Sequence, residues 1–343
     1  MFILYTHLMA LHNAKGFWPV TVAIGGNFFV AGIKFFAASI SGSSALFSEA
    51  IHSLADTLNQ ILLLIGIGRS TKDADDSFEY GYGNERFFWA LISACGVLFV
   101  GAGVTAYAGI DTLMNPHHVE FSAVVFGVLV VSFVVEFSTF LVAARALQRD
   151  FPHLSWRERI NRADPSTLSV FLEDVIAVLG IVVVSVSLLL AYYTGNTLWD
   201  AVGSIVIAGL LGHVAVMLII KNRSYLIGHS MPEELQDEVV ALLDFEPAIE
   251  KVIDFKSSSI GFGTYRIKCE VEFNGSALLN EAYQRQTLRA QYEEVHHDFE
   301  EFKRFCVDYA DRIPRLIGRK IDEIEARIKK AHPSIRHIDI EIN

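Results

Sequence analysis

The chain has 343 residues, 52% of them hydrophobic, and a formal net charge of −11. The acidity argues against nucleic acid as a partner, and the apolar fraction is too high for an ordinary soluble domain. The excess is uneven: apolar blocks fill the first two-thirds, and Glu, Lys, Arg and Asp crowd the last third. A transmembrane domain over 1–223 and a cytoplasmic α+β domain over 224–343 are expected.

In chain order, the first short apolar run is followed by Lys15 with no clear cleavage site, which does not read as a signal peptide. The first span is expected to act as its own insertion signal. Six segments reach the ~20 apolar residues that cross a bilayer. They lie near 17–40, 44–69, 85–113, 119–147, 166–193 and 198–221, and turn-forming residues at 41–44, 115–118 and 194–196 punctuate them. Basic residues flank the second and fourth connections (Arg69, Lys72, Arg86; Arg145, Arg149, Arg157, Arg159, Arg162) and follow the last span (Lys221, Arg223). The other connections contain none. This bias predicts a multi-pass integral membrane protein with both termini cytoplasmic. The acidic run Asp73, Asp75, Asp76 and Glu79 reads as a solvated loop, the alternative being a run that attracts cations at the cytoplasmic mouth.

Beyond 224 the pattern changes. Pro232–Leu243 has amphipathic helical spacing, 252–258 and 265–273 alternate like strands around Gly261-Phe262-Gly263, and Ile335–Ile342 closes as a third strand. The polar region 277–331 is too long for one ordinary helix and is expected to be a helical insertion of two or three. The order helix, strand, strand, helix, strand predicts a small α+β sandwich.

The chemistry sits inside the spans. An ionisable group at the centre of a membrane helix costs at least ~2.5–3.5 kcal/mol, so it faces a cavity, pairs, or binds something. On the second span His52 and Asp56 are one turn apart on one face, Asn59 continues that face, and Glu49 lies a turn earlier. An imidazole and a carboxylate so placed make half of a divalent-metal site. On the fifth span Glu173 and Asp174 are adjacent, and two neighbouring carboxylates in hydrocarbon call for a cation or a proton between them. The joint account is a site of His52, Asp56 and Asp174, with Glu173 as fourth ligand or supporting group. The bland alternative is hydrogen bonding between helices. Lys34 reads as structural, snorkelling or pairing with an acid, and Glu136 as a pairing partner or a proton relay. His296, His297, His332 and His337 lack a ligand pattern. Cys95, Cys269 and Cys306 show no metal or disulfide spacing.

These residues resemble the cation diffusion facilitators. GSSALFSEAIHSLADTLNQ is similar to that family's first loop and second span, and YGYGNERFFWAL to its signature between spans two and three. FLEDVIAVLG, IGHSMPEEL and IRHIDIEI resemble the zinc transporter 9 branch. The resemblance implies six transmembrane helices with a C-terminal cytoplasmic ferredoxin-like domain, assembled as a homodimer. It implies antiport of a divalent cation against protons, with zinc as the cargo. It places the family's fifth-span histidine at Val170, which cannot bind metal. Glu173 is the obvious substitute, though about 100° away on an ideal helix. A site richer in oxygen also suits manganese, iron or cobalt. A membrane sensor that binds metal without transporting it is the rival from another class. A membrane metallo-hydrolase lacks its ligand motif.

Overall fold

A computed structural model describes residues 17–41, 44–115, 123–150, 152–163, 165–196, 198–282 and 288–343. Within these, side chains are described except at 17–20, 23, 37–41, 44–52, 55, 165, 166, 184, 188, 282 and 288. The chain divides into two compact units, Met1–Ile227 and Gly228–Asn343.

The first unit is helical: α1 (Phe17–Ser41), α2 (Ser44–Ser70), α3 (Glu85–Met114), α4 (Ala123–Asp150), α5 (Trp156–Arg162), α6 (Pro165–Thr194) and α7 (Leu198–Ile227). Among the described residues, α3, α4, α6 and α7 are long and apolar enough to cross a membrane, and Ile24–Phe36 is a shorter apolar stretch within α1. Helix α2 carries Glu49, His52, Asp56 and Asn59 within its 27 residues, which dilutes its apolar content.

Helix α4 shows why these segments pack as they do. Its buried residues are Val125, Leu129, Ser132, Glu136, Thr139, Ala143 and Leu147, spaced three and four apart along one face. Phe126, Val130, Val134 and Phe137 lie exposed on the remainder. Large apolar groups facing outward are a liability in water and are at home in lipid. In α3 the backbone widens to a π-helical stretch at Val97–Ala102 before α-helix resumes at Gly103. Close approaches seal the bundle. A methyl group on Gly66 would lie 2.7 Å from Trp89 Cβ, and one on Gly203 would lie 2.2 Å from Ser187 Oγ.

Polar contacts organise one end of this unit. In the α2–α3 connection, Asp75 accepts hydrogen bonds from Lys72 Nζ at 2.6 Å, from the Tyr82 hydroxyl at 2.8 Å, and from the backbone N–H groups of Ser77 and Phe78 at 3.1 Å. Its carboxyl is held at about 2 by the Lys72 and Tyr82 hydrogen bonds. The short α5 starts with a Ser155/Glu158 capping box. At its other end Lys221 of α7 donates to the carbonyls of Ile160 and Asn161, at 2.7 and 3.1 Å. A lysine at a helix C-terminus meets carbonyls that lack intrahelical partners.

The second unit comprises α8 (Glu233–Asp244), β1 (Ile249–Gly261), β2 (Thr264–Phe273), α9 (Gly275–Ala282), α10 (Leu288–Val295), α11 (Phe299–Ala331) and β3 (Ile335–Ile342). Strand β2 is central, antiparallel to β1 and parallel to β3, with Val252 opposite Val271 and Ile267 opposite Ile338. The β1–β2 turn uses Gly263 at φ +68°, in the left-handed region that glycine adopts freely. Ile267, Cys269 and Val271 point to one face with the strand period of two. They join Val239 and Leu243 of α8 and Ile324 and Ile328 of α11 in one core. Helix α11 runs 33 residues through Pro314. Its first turns expose Phe299, Phe302 and Val307, while Leu316, Ile324 and Ile328 are buried.

Candidate functional site

The interior of the first unit gathers the ionisable groups of four helices. Helix α2 contributes Asp56, partly buried, with Ser53, Thr57, Asn59 and Gln60 buried around it. Helix α4 contributes Glu136 and Thr139, and α6 contributes Ser169, Glu173 and Asp174, all buried. Helix α1 contributes Lys34, 1% exposed. Asp174 stands beside the Thr139 hydroxyl and in the field of Glu136 and Asp56. Glu173 lies in the field of Asp56 and Asp174.

Lys34 does not snorkel to a surface. Its Nζ donates to Ser53 Oγ at 2.9 Å and lies 3.6 Å from Glu136 Oε1. Glu136 is therefore an ion-pair partner. Among the described residues this region holds four carboxylates (Asp56, Glu136, Glu173 and Asp174) against one ammonium. Desolvation costs several kcal/mol per buried ion after relaxation, and a divalent cation would offset both that cost and the mutual repulsion.

The two adjacent acids of α6 are treated differently. Glu173 has a donor on each oxygen: Gln60 Nε2 reaches Oε2 at 2.5 Å, and Ser169 Oγ reaches Oε1 at 2.8 Å. Asp174 Oδ2 is buried with no hydrogen-bond partner among the described residues. An orphaned carboxylate oxygen inside a helical bundle is costly and is the atom best suited to accept a cation. Val170, one turn before Asp174, is 1% exposed and belongs to the apolar core.

Asn59 and His52 complete the sequence-predicted set. Asn59 is buried and directed toward α3, because a methyl group on Gly96 would lie 2.8 Å from its Oδ1. Its backbone carbonyl accepts from Ser93 Oγ of the same helix at 3.3 Å. His52 lies on α2 one turn before Asp56, and its side chain is outside those described. Among the described residues, no three His, Cys, Asp or Glu side chains converge closely enough to hold one metal ion. This covers His296, His297, His332 and His337 as well. The ring of His296 stacks on Tyr292, and His332 lies 3.6 Å from Glu238.

Sequence reasoning missed Gln60. The signal was available: Gln60 is four residues beyond Asp56, about 40° around the helix, whereas Asn59 is about 60° the other way.

Comparison with known proteins places these features in context. The cation efflux transmembrane domain family matches residues 20–227. The human proton-coupled zinc antiporter SLC30A9, mitochondrial, is 35% identical over 328 residues, covering 94% of this chain and 58% of its own length. The chain thus spans a little over half of that relative. Metal tolerance protein C4 of Arabidopsis thaliana is 34% identical over 334 residues, covering 94% of this chain and 72% of its own. The cation-efflux pump FieF of Shewanella oneidensis is 25% identical over 255 residues.

Proposed function

Because the chain belongs to the cation efflux family, on its zinc transporter 9 branch, we propose that it is a divalent-cation transporter that exchanges zinc for protons by alternating access. The observation that carries the reading is the interior acidic cluster of partly buried Asp56 with buried Glu173 and Asp174, in which Asp174 Oδ2 has no hydrogen-bond partner among the described residues. In this reading α1, α2, α3, α4, α6 and α7 are six spans, and both termini face the cytoplasm. The basic residues around α5 and the ends of α2 and α7 support that orientation. The transporter exports from the cytoplasm and works as a homodimer of the family type.

The cation enters through a water-filled pocket, sheds most of its water, and is held by His52, Asp56 and Asp174, with Glu173 supporting them from its two hydrogen bonds. Neutral imidazole and ionised carboxylate bind metal, and their protonated forms do not. Competition between proton and metal for the same atoms gives exchange without a separate proton site. The rocking of helices in alternating access is the step that would bring α2 and α6 side chains into one coordination sphere. Imidazole with carboxylates suits zinc. The carboxylate-rich set, with valine at position 170, keeps manganese, iron or cobalt as a second reading for the cargo.

Flux into proteoliposomes loaded at a set internal pH tests this. The native chain should move zinc inward with proton movement outward, and Asp56→Ala and Asp174→Ala should abolish both while the purified proteins remain folded. Normal zinc flux by either variant would remove that residue from the site. Zinc binding with no flux at all would make the chain a sensor.

A further inference from the structure

Gln60 is fully buried and sits one helical turn beyond Asp56 on α2. Its side chain is divided in function. The Nε2 group donates to Glu173 Oε2 at 2.5 Å and so joins α2 to α6. The Oε1 atom is buried with no hydrogen-bond partner among the described residues.

That orphaned carbonyl is not relieved by turning the amide over. With Glu173 ionised, as cation binding requires, the flipped amide would set Oε1 against a carboxylate oxygen, acceptor facing acceptor. Glu173 itself does not pivot away, because Ser169 Oγ holds its other oxygen. The Ser169–Glu173–Gln60 chain thus fixes an amide oxygen in the same interior as Asp56 and Asp174. An unsatisfied buried acceptor is destabilising, and a passing cation would satisfy it. Carboxamide and carbonyl oxygens are hard, neutral ligands for divalent cations. They stabilise a dehydrated ion without adding a charge that must be released with it.

Resting on the reading of the acidic cluster as a cation route, we propose that Gln60 is a residue of that route: its carbonyl oxygen is a neutral ligand for the partly dehydrated divalent cation, aimed by the hydrogen bond to Glu173. Glu173 is then a positioning residue for Gln60. The pairing also accounts for an acid on α6 one position before Asp174 that has both oxygens engaged.

The test uses the full chain in proteoliposomes, with zinc alone and manganese alone as probes. Gln60→Leu keeps the side-chain size and removes both polar atoms. Its half-saturating metal concentration should rise about tenfold or more, the scale seen when groups that support a metal site are removed. The exchange pair Gln60→Glu with Glu173→Gln reverses donor and acceptor while keeping the hydrogen bond and an oxygen on α2. It should bring the half-saturating concentration most of the way back. A merely structural role would reduce the amount of active protein, lowering the maximal rate and leaving half-saturation unchanged, and that result overturns the proposal. So does an exchange pair that fails to recover, which decides the matter if Gln60→Leu does not fold. Asp56→Ala and Asp174→Ala run alongside. If both transport normally, the underlying site reading fails; if both are inactive and Gln60→Leu has native half-saturation, only the role of Gln60 fails.

Discussion

Lys34 of α1 and Glu136 of α4 face each other inside the first unit, Nζ to Oε1 3.6 Å apart, with 2% and 8% of their side-chain surfaces exposed. Removing one partner of a buried pair strands the other charge, at a cost of about 3–5 kcal/mol, while replacing both with apolar groups is often neutral. Lys34→Met should therefore lower the unfolding midpoint of the purified protein sharply, and Lys34→Met with Glu136→Met should recover most of the loss. A single variant as stable as the native chain would mean that the pair is not coupled.

Val170 lies one turn before Asp174 in the apolar core. Val170→His should raise zinc flux relative to manganese, because imidazole nitrogen favours zinc over the harder ion. Unchanged selectivity, with flux retained, would mean that position 170 does not reach the cation.

Gly203 of α7 packs on Ser187 of α6 so closely that an added methyl would lie 2.2 Å from Ser187 Oγ and 2.9 Å from its Cβ. Gly203→Ala should destabilise the bundle by about 1–3 kcal/mol through overpacking. Adding Ser187→Gly should relieve most of it. Thermal unfolding of the two variants in detergent measures both effects.

Cys269 and Cys306 should differ in reactivity. Cys269 is 1% exposed at the core face of β2, and burial pushes its thiol up to about 11, with Glu325 and Asp339 adding to the effect. The thiolate is the reactive form, so at neutral pH Cys269 should resist maleimide until the second unit unfolds. Cys306 is exposed on α11 and should label at once. Mass spectrometry of peptides from native and denatured protein reads the difference.

The loop at 71–84 carries its own pH dependence. Asp75 is held at about 2 in the folded loop, against 3.8 for the free side chain. A lowered folded value means that its contribution is complete above 3.8 and fades as pH falls toward 2. At pH 7, Asp75→Asn should weaken the Lys72 contact and raise amide hydrogen exchange at Ser77 and Phe78. Exchange equal to that of the native chain would show that the loop is held by other contacts.

Much of this was legible from local pattern. Strand β3 follows from the alternation in Ile335–Ile342, and α8 from helical spacing after Met231-Pro232. The polar residues of α2 and α6 stood out because hydrocarbon makes them expensive. What was not legible depends on which helices are neighbours. Lys34 and Glu136 are about a hundred residues apart, and only the packing of α1 on α4 makes them a pair. Asn59 reads as continuing the His52–Asp56 face, yet its amide meets α3 at Gly96, because at this depth the helix has neighbours on several sides. Gln60 carries a weaker signal in the sequence, because a neutral amide is cheaper in an apolar segment than a charge. Its importance comes from Glu173, three spans later.

The π-helical stretch at Val97–Ala102 has a consequence for how α3 is indexed. A π turn accommodates one surplus residue, and one residue corresponds to about 100° of rotation in an α-helix. The halves of α3 before and after it are therefore out of phase, like two screws joined with an offset thread. Phe87, Ala90 and Ala94 are buried on the first half, and the second half presents Gly109 against Ala201, Ser204 and Ile205. Forcing 97–102 into α-helix with every residue kept would turn Gly109 away from α7, and deleting one residue from the stretch as well would bring it back. In this helix the count of residues, as much as their identity, carries structural information.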